Sequence, residues 1–180
     1  FHQALAADAI HAMHATTLPL ARTHGLDEEL RVVGQAVERS FLRGAERAIA
    51  EDWLALLTHR RAALADGSLC PSHRDFYDKQ VLAAADRLTL LDMDTATAGD
   101  AALDVGNFLA HVRLRQLQAP QHAQTLAASG NAFQEAYGPH NGLWTRVSWW
   151  RAAATLRIAA LYSLRPRWRS LTPQLLEEAE

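Results

Sequence analysis

Apolar residues recur at helical spacing along most of this chain, and clusters of Gly, Pro and polar residues interrupt them. Residues 1–16 set Leu5, Ile10 and Met13 among alanines, which predicts a buried helix. Pro19 and the His24-Gly25 pair break it. Asp27 is expected to cap a second helix over residues 28–41, with Glu28 and Glu29 opposing the positive end of its dipole. A longer helix over 45–65 carries Ile49, Trp53, Leu54, Leu57 and Ala63, closes at Gly67 and is expected to hold the loop that follows. Residues 81–84 and 88–92 read as two short strands joined through Ala85-Asp86-Arg87, a connection of hairpin length. Residues 95–101 form a loop of small residues. Helices are predicted over 102–117, 120–137 and 143–164, with turns at Gly138-Pro139 and Asn141-Gly142. Thr172-Pro173 opens a short final helix with a hydroxyl cap. The pattern is mainly α with a small β-hairpin.

Composition narrows the partners. A chain of 180 residues makes one domain, burying roughly 70% of its unfolded surface. With 18 basic and 20 acidic residues the formal charge is -2, which argues against nucleic acid or an anionic membrane and for a small partner. Cys70 is the single cysteine, so no intrachain disulfide forms and a cytoplasmic setting is expected. No apolar run approaches the roughly 20 residues of a membrane span, and no charged-then-apolar leader is visible.

The chemistry gathers in residues 69–107, LCPSHRDFYDKQVLAAADRLTLLDMDTATAGDAALDVGN. His73-Arg74-Asp75, Gln80, Leu90-Leu91-Asp92 and Gly99-Asp100-Ala101-Ala102-Leu103-Asp104 follow one another there. Phosphoryl transfer needs a carboxylate near the attacking hydroxyl and hard oxygen ligands for Mg²⁺. Four elements in this order resemble the aminoglycoside phosphotransferase family, the small-molecule branch of the protein-kinase-like fold. The specific motifs occupy residues 73–104; more loosely, Leu5 to His14 is similar to the helix after that family's interlobe hinge. Where the family has Asn, this chain has Gln80, which keeps the amide oxygen and lengthens the reach by one methylene.

The resemblance implies a C-terminal, catalytic lobe with a catalytic loop (69–80), a hairpin (81–92) and a metal loop (92–101). By it, Asp75 is the catalytic carboxylate that positions the acceptor hydroxyl and can take its proton. Asp92 and Gln80 are the Mg²⁺ ligands, with Asp94 supporting the metal through water. Lys79 lies near the transferred phosphoryl group of ATP or GTP. His73 and Arg74 fix the loop, and Asp104 accepts hydrogen bonds from its backbone.

Two absences complete this picture. The nine glycines never fall as G-x-G, and Lys79 is the only lysine, so the chain holds neither a glycine-rich lid nor a strand-borne lysine. The chain also starts at Phe1, and an N-terminal nucleotide-binding lobe is expected to be missing from it. The reading is a kinase for a small hydroxyl compound such as an aminoglycoside, an amino alcohol or a sugar-like molecule. The alternative, motivated by Gln80, is a catalytically inactive kinase-like binding module. Protein phosphorylation is the weakest option, since residues 93–104 are too short for a long activation segment. Other features have plainer readings. Trp53, Trp144, Trp149 and Trp150 read as core or helix packing. His11 and His14, three apart on one helical face, lack a third metal ligand. Glu177, Glu178 and Glu180 read as a solvated terminal face.

Overall fold

The computed structural model describes residues 3–84, 87–138 and 142–177. Its helices are α1 (Gln3–His14), α2 (Leu26–Arg39), α3 (Ala45–Arg61), α4 (Ala101–Gln118), α5 (Ala123–Tyr137), α6 (Leu143–Tyr162) and α7 (Thr172–Leu176). Five short strands interleave with them: β1 (Thr23–His24), β2 (Leu69–Ser72), β3 (Val81–Ala84), β4 (Arg87–Leu90) and β5 (Thr97–Asp100). The expected Ala85-Asp86 connection, the Pro139 and Asn141 turn residues, Glu178 and Glu180 lie outside the described residues.

Helix α4 is the axis of the fold. It packs against α6 along its length and against α5, while α1 covers α5 and α2 covers α6. Its residues Ala102 to Ala110 are all buried, because apolar side chains fall on nearly every face. The crossing with α6 is close at Gly106, where a Cβ would stand 2.7 Å from the Arg151 backbone nitrogen and 2.7 Å from Trp150 Cβ. Gly106→Ala is therefore expected to destabilise the protein by about 1–3 kcal/mol in urea unfolding, through overpacking. Helix propensity alone predicts a gain of about 1 kcal/mol, so the sign of the change tests the crossing.

The hairpin β3–β4 pairs Val81 with Leu90 and Ala84 with Arg87. Its second strand ends at Leu90, so Leu91 and Asp92 leave the ladder. A second sheet, in the order β1-β5-β2, went unpredicted. Residues 97–100, expected as loop, are its central strand, parallel to β1 and antiparallel to β2. Thr, Ala, Gly and Asp give no alternating pattern, and Pro71 in β2 argues against a strand except at an edge, which is where β2 lies.

Several local expectations are corrected. Helix α2 starts at Leu26 behind Gly25, with no side-chain cap; Asp27 sits in the first turn and pairs with Arg61. Helix α3 ends at Arg61, and it packs on α2, α6 and α7. Gly67 does not close it, and passes instead against the Asp100 carboxylate, which any Cβ there would strike. Ile49 is exposed, whereas Trp53 and Leu57 are core. Thr172 is the first residue of α7, and its buried hydroxyl has no partner among the described residues, so it is not seen to cap. Trp149 and Trp150 are buried as packing residues, with Trp149 Nε1–H donating to the Leu57 carbonyl at 3.0 Å.

Candidate active site

The site begins where β2 ends. Ser72 pairs with Thr97 on β5, and the chain then turns sharply, because Arg74 adopts a left-handed backbone (φ 72°). A non-glycine residue in that region is strained and needs the surroundings to hold it. Asp104, fully buried in the first turn of α4, supplies the hold. Its Oδ2 accepts the His73 backbone N–H at 2.8 Å, and its Oδ1 accepts the Arg74 N–H at 2.7 Å. His14 Nε2–H donates to the same Oδ2 at 3.0 Å, while the Tyr137 hydroxyl stands 2.8 Å from His14 Nδ1. Both His14 nitrogens are thus engaged, and the His11/His14 spacing serves packing against Tyr137.

Three further hydrogen bonds fix the loop. The buried His73 ring donates from Nε2 to the Leu91 carbonyl at 2.7 Å, and Thr95 Oγ1 donates to the His73 carbonyl at 2.9 Å, so residues 73 and 91–95 move together. Asn107, one helical turn beyond Asp104, donates from Nδ2 to the Phe76 carbonyl at 2.9 Å. Phe76 is fully buried and stacks on Phe108, which stacks on Phe133 with ring centroids 3.9 Å apart. Asp75, between these anchors, is left partly exposed on the wall of a cavity of about 710 Å³. Exposed Lys79 lines the same wall.

Gln80 and Asp92 are brought together across the base of the hairpin. Leu91 N–H donates to the Gln80 carbonyl at 2.9 Å, which sets the register, and Gln80 Nε2–H donates to Asp92 Oδ2 at 3.5 Å. Asp92 is exposed and left-handed (φ 58°, ψ 56°), a second strained non-glycine residue in the site. A carboxylate oxygen and a side-chain amide oxygen make a hard donor set of the kind Mg²⁺ takes, with phosphate oxygens and water filling the rest; here the Gln80 amide presents its nitrogen to Asp92, so its oxygen would have to turn inward to join such a set. Among the described residues no group of three or more His, Cys, Asp or Glu could hold a metal by itself. Asp94 lies exposed on the turn Met93–Thr95 and has no hydrogen bond or ion pair among the described residues.

The profile of the phosphotransferase enzyme family (APH) matches residues 1–150, which include the whole loop-and-hairpin arrangement. The chain belongs to that family. Solved structures of small-molecule kinases and of an aminoglycoside phosphotransferase also share its fold. A choline/ethanolamine kinase family protein from Mesorhizobium loti superposes with a TM-score of 0.70 at 14% identity, covering 98% of this chain and 60% of that one. The amicoumacin kinase hAmiN, solved with AMP-PNP, Ca²⁺ and Ami, gives 0.67 at 12% identity over 99% and 57%. An aminoglycoside phosphotransferase from Streptomyces rimosus gives 0.57 at 19% over 86% and 61%. The chain therefore spans about three fifths of each of these relatives and is the mainly helical lobe of the protein-kinase-like fold. No curated protein matches it in sequence.

In this phosphotransferase lobe, a buried polar cluster beside the loop escaped sequence reasoning. Glu29, a first-turn acid by its position in the sequence, is buried and bound to His24 Nε2 at 2.7 Å, with Arg157 Nε at 3.4 Å. Burial alone would push the Glu29 carboxyl up; the His24 hydrogen bond and the charges of Arg157 and Arg74 outweigh it and hold the group below its usual range. Arg157 also donates to Asn107 Oδ1 at 2.8 Å, linking the cluster to the loop anchor. The signal for Asn107 was its position three residues after Asp104, on the same helical face. Glu29 and Arg157, far apart in sequence, gave none.

Proposed function

We propose that this chain is the acceptor-side lobe of a small-molecule kinase, moving the γ-phosphate of ATP or GTP onto a hydroxyl of a small compound. One observation carries the reading: Asp75, presented by the Asp104-anchored loop, lines a roomy cavity together with Lys79, and the same loop ends at the Gln80–Asp92 pair. The acceptor oxygen attacks the γ-phosphorus. The bond to the β–γ bridging oxygen breaks, its electron pair leaves with the nucleoside diphosphate, and the hydroxyl proton passes to Asp75. Because the transition state is loose, Asp75 acts mainly by orienting the hydroxyl.

Lys79 offsets charge on the transferred group. Gln80 and Asp92 would hold Mg²⁺, with Asp94 acting through water; the ion, when bound, neutralises the donor phosphates. A nucleotide-binding lobe outside these residues would supply the glycine-rich lid and its lysine. The single cysteine supports a cytoplasmic setting. A second reading, an inactive binding module, is favoured by Gln80, whose amide nitrogen is the atom facing Asp92.

The test is transfer of labelled γ-phosphate by this chain alone and by the protein that includes a nucleotide-binding lobe. Metal-dependent transfer by the two-lobe protein only is expected, since losing aligned reactants costs roughly 7–11 kcal/mol of barrier. Turnover by the isolated lobe would overturn the two-lobe argument. Nucleotide binding by the two-lobe protein without transfer to any hydroxyl compound would establish the binding module.

A further inference from the structure

The Asp75 cavity has an unusual charge for a chain whose overall balance is slightly acidic. Among the described residues, six of the chain's 18 basic residues line it, against two carboxylates. One of the two, Glu29, is already engaged by His24 and Arg157, and the other is Asp75 itself. Among the described residues, the one carboxylate that Arg115, from α4, reaches is Asp78, at 3.6 Å. Arg165 lies over the Tyr162 ring at 5.1 Å and Arg167 over the Trp168 ring at 4.7 Å, contacts that orient a guanidinium without neutralising it. Among the described residues, Arg165 and Arg167 have no carboxylate partner. The wall also offers flat faces: Tyr77 stacks on His111 with centroids 4.5 Å apart, beside Tyr162 and Trp168.

We infer that the acceptor is a hydroxylated small molecule that carries an anionic group, a carboxylate or a phosphate monoester, held by Arg115, Arg165 and Arg167 while its hydroxyl meets Asp75. Guanidinium groups recognise both anions through paired N–H donors. A protonated amine in the same place would face like charges. The cavity volume of about 710 Å³ suits a compound of sugar size or larger. The field is felt inside the site, where burial, and then the charges of Arg157, Arg115 and Arg165, push the His111 imidazole down to about 3 and leave it neutral. The inference rests on the kinase reading for the role of Asp75, and on charge and geometry alone for the anion.

The experiment uses the two-lobe protein and a matched set of probes: a hexose, a hexosamine, a hexuronate and a hexose monophosphate. Calorimetry measures binding of each, and a phosphate-transfer assay measures turnover. Anionic probes are expected to bind about tenfold or more tightly than the hexose, with the hexosamine weakest and the preference shrinking at high salt. The carboxylate and phosphate arms show which anion the site prefers. Arg165→Gln/Arg167→Gln, at exposed positions, is expected to weaken anionic probes by about tenfold while leaving the nucleotide KM within about twofold. Tighter binding of the hexosamine, no binding of either anion, or an effect of the double variant on nucleotide alone would overturn the inference. Transfer without anion preference leaves the kinase reading standing and removes this one; anion binding without transfer does the reverse.

Discussion

Asp75→Asn in the two-lobe protein is expected to lower kcat by on the order of 10²-fold or more, with the nucleotide KM within about a factor of two. The substitution is nearly isosteric, and Asp75 takes no part in the bonds that shape the loop: those run from His73, Arg74 and Phe76 to Asp104, Thr95, Leu91 and Asn107. The loop should therefore keep its form. What is lost is a carboxylate that can orient the acceptor hydroxyl by accepting its hydrogen bond and finally take its proton. An amide can still accept a hydrogen bond, but it adds a donor beside the hydroxyl and cannot act as a base. Since this contact tightens as the proton leaves, the loss falls on kcat. Steady-state kinetics with a verified acceptor measures it, and near-normal turnover would remove Asp75 from the reaction.

Which loop residues come together was more legible in the sequence than the scaffold around them, for a physical reason. Asp75, Gln80, Asp92 and Asp104 lie within a short stretch whose spacing is set by local turns and one hairpin, so their order alone was informative. Long helices such as α4 and α6 were legible because apolar spacing over many residues outweighs local exceptions. The sheet β1-β5-β2 was not, because its strands are two to four residues long and are held by pairing between distant segments. A propensity reading of TAGD gives a loop; only the backbone partners on either side make it a strand. The same holds for electrostatics. A chain with a formal charge of -2 gave no hint of a cationic cavity, because Arg74, Arg115, Arg157, Arg165 and Arg167 come together only when the loop, α4, α6 and the segment after α6 are assembled.

Asp104→Ala should be the most damaging single change away from the reacting atoms. Its carboxylate accepts three hydrogen bonds, from two backbone N–H groups and from His14, and none of its surface is exposed. Removing it leaves the buried His73 N–H, and the part-buried Arg74 N–H and His14 donors, without their acceptor, at about 1–3 kcal/mol for each group left unsatisfied. A loss of about 3–5 kcal/mol is the expected total, as for breaking other buried charged contacts. For a chain of this size that lowers Tm by roughly 10 °C or more. Asp104→Asn is not expected to rescue it, because the amide nitrogen would face one of the two backbone donors. Activity of the proposed two-lobe protein should fall as well, although Asp104 touches no substrate: without the clamp the His73 and Arg74 amides lose the acceptor that offsets the left-handed strain at Arg74, and the loop that carries Asp75 is held less firmly. Hydrogen exchange separates this from general destabilisation. The His73 and Arg74 amides should be protected in the parent protein and exchange fast in Asp104→Ala under conditions where amides in the middle of α4 remain protected. Unchanged unfolding, or amides at 73 and 74 that stay protected in the variant, would show that the loop is held by other means.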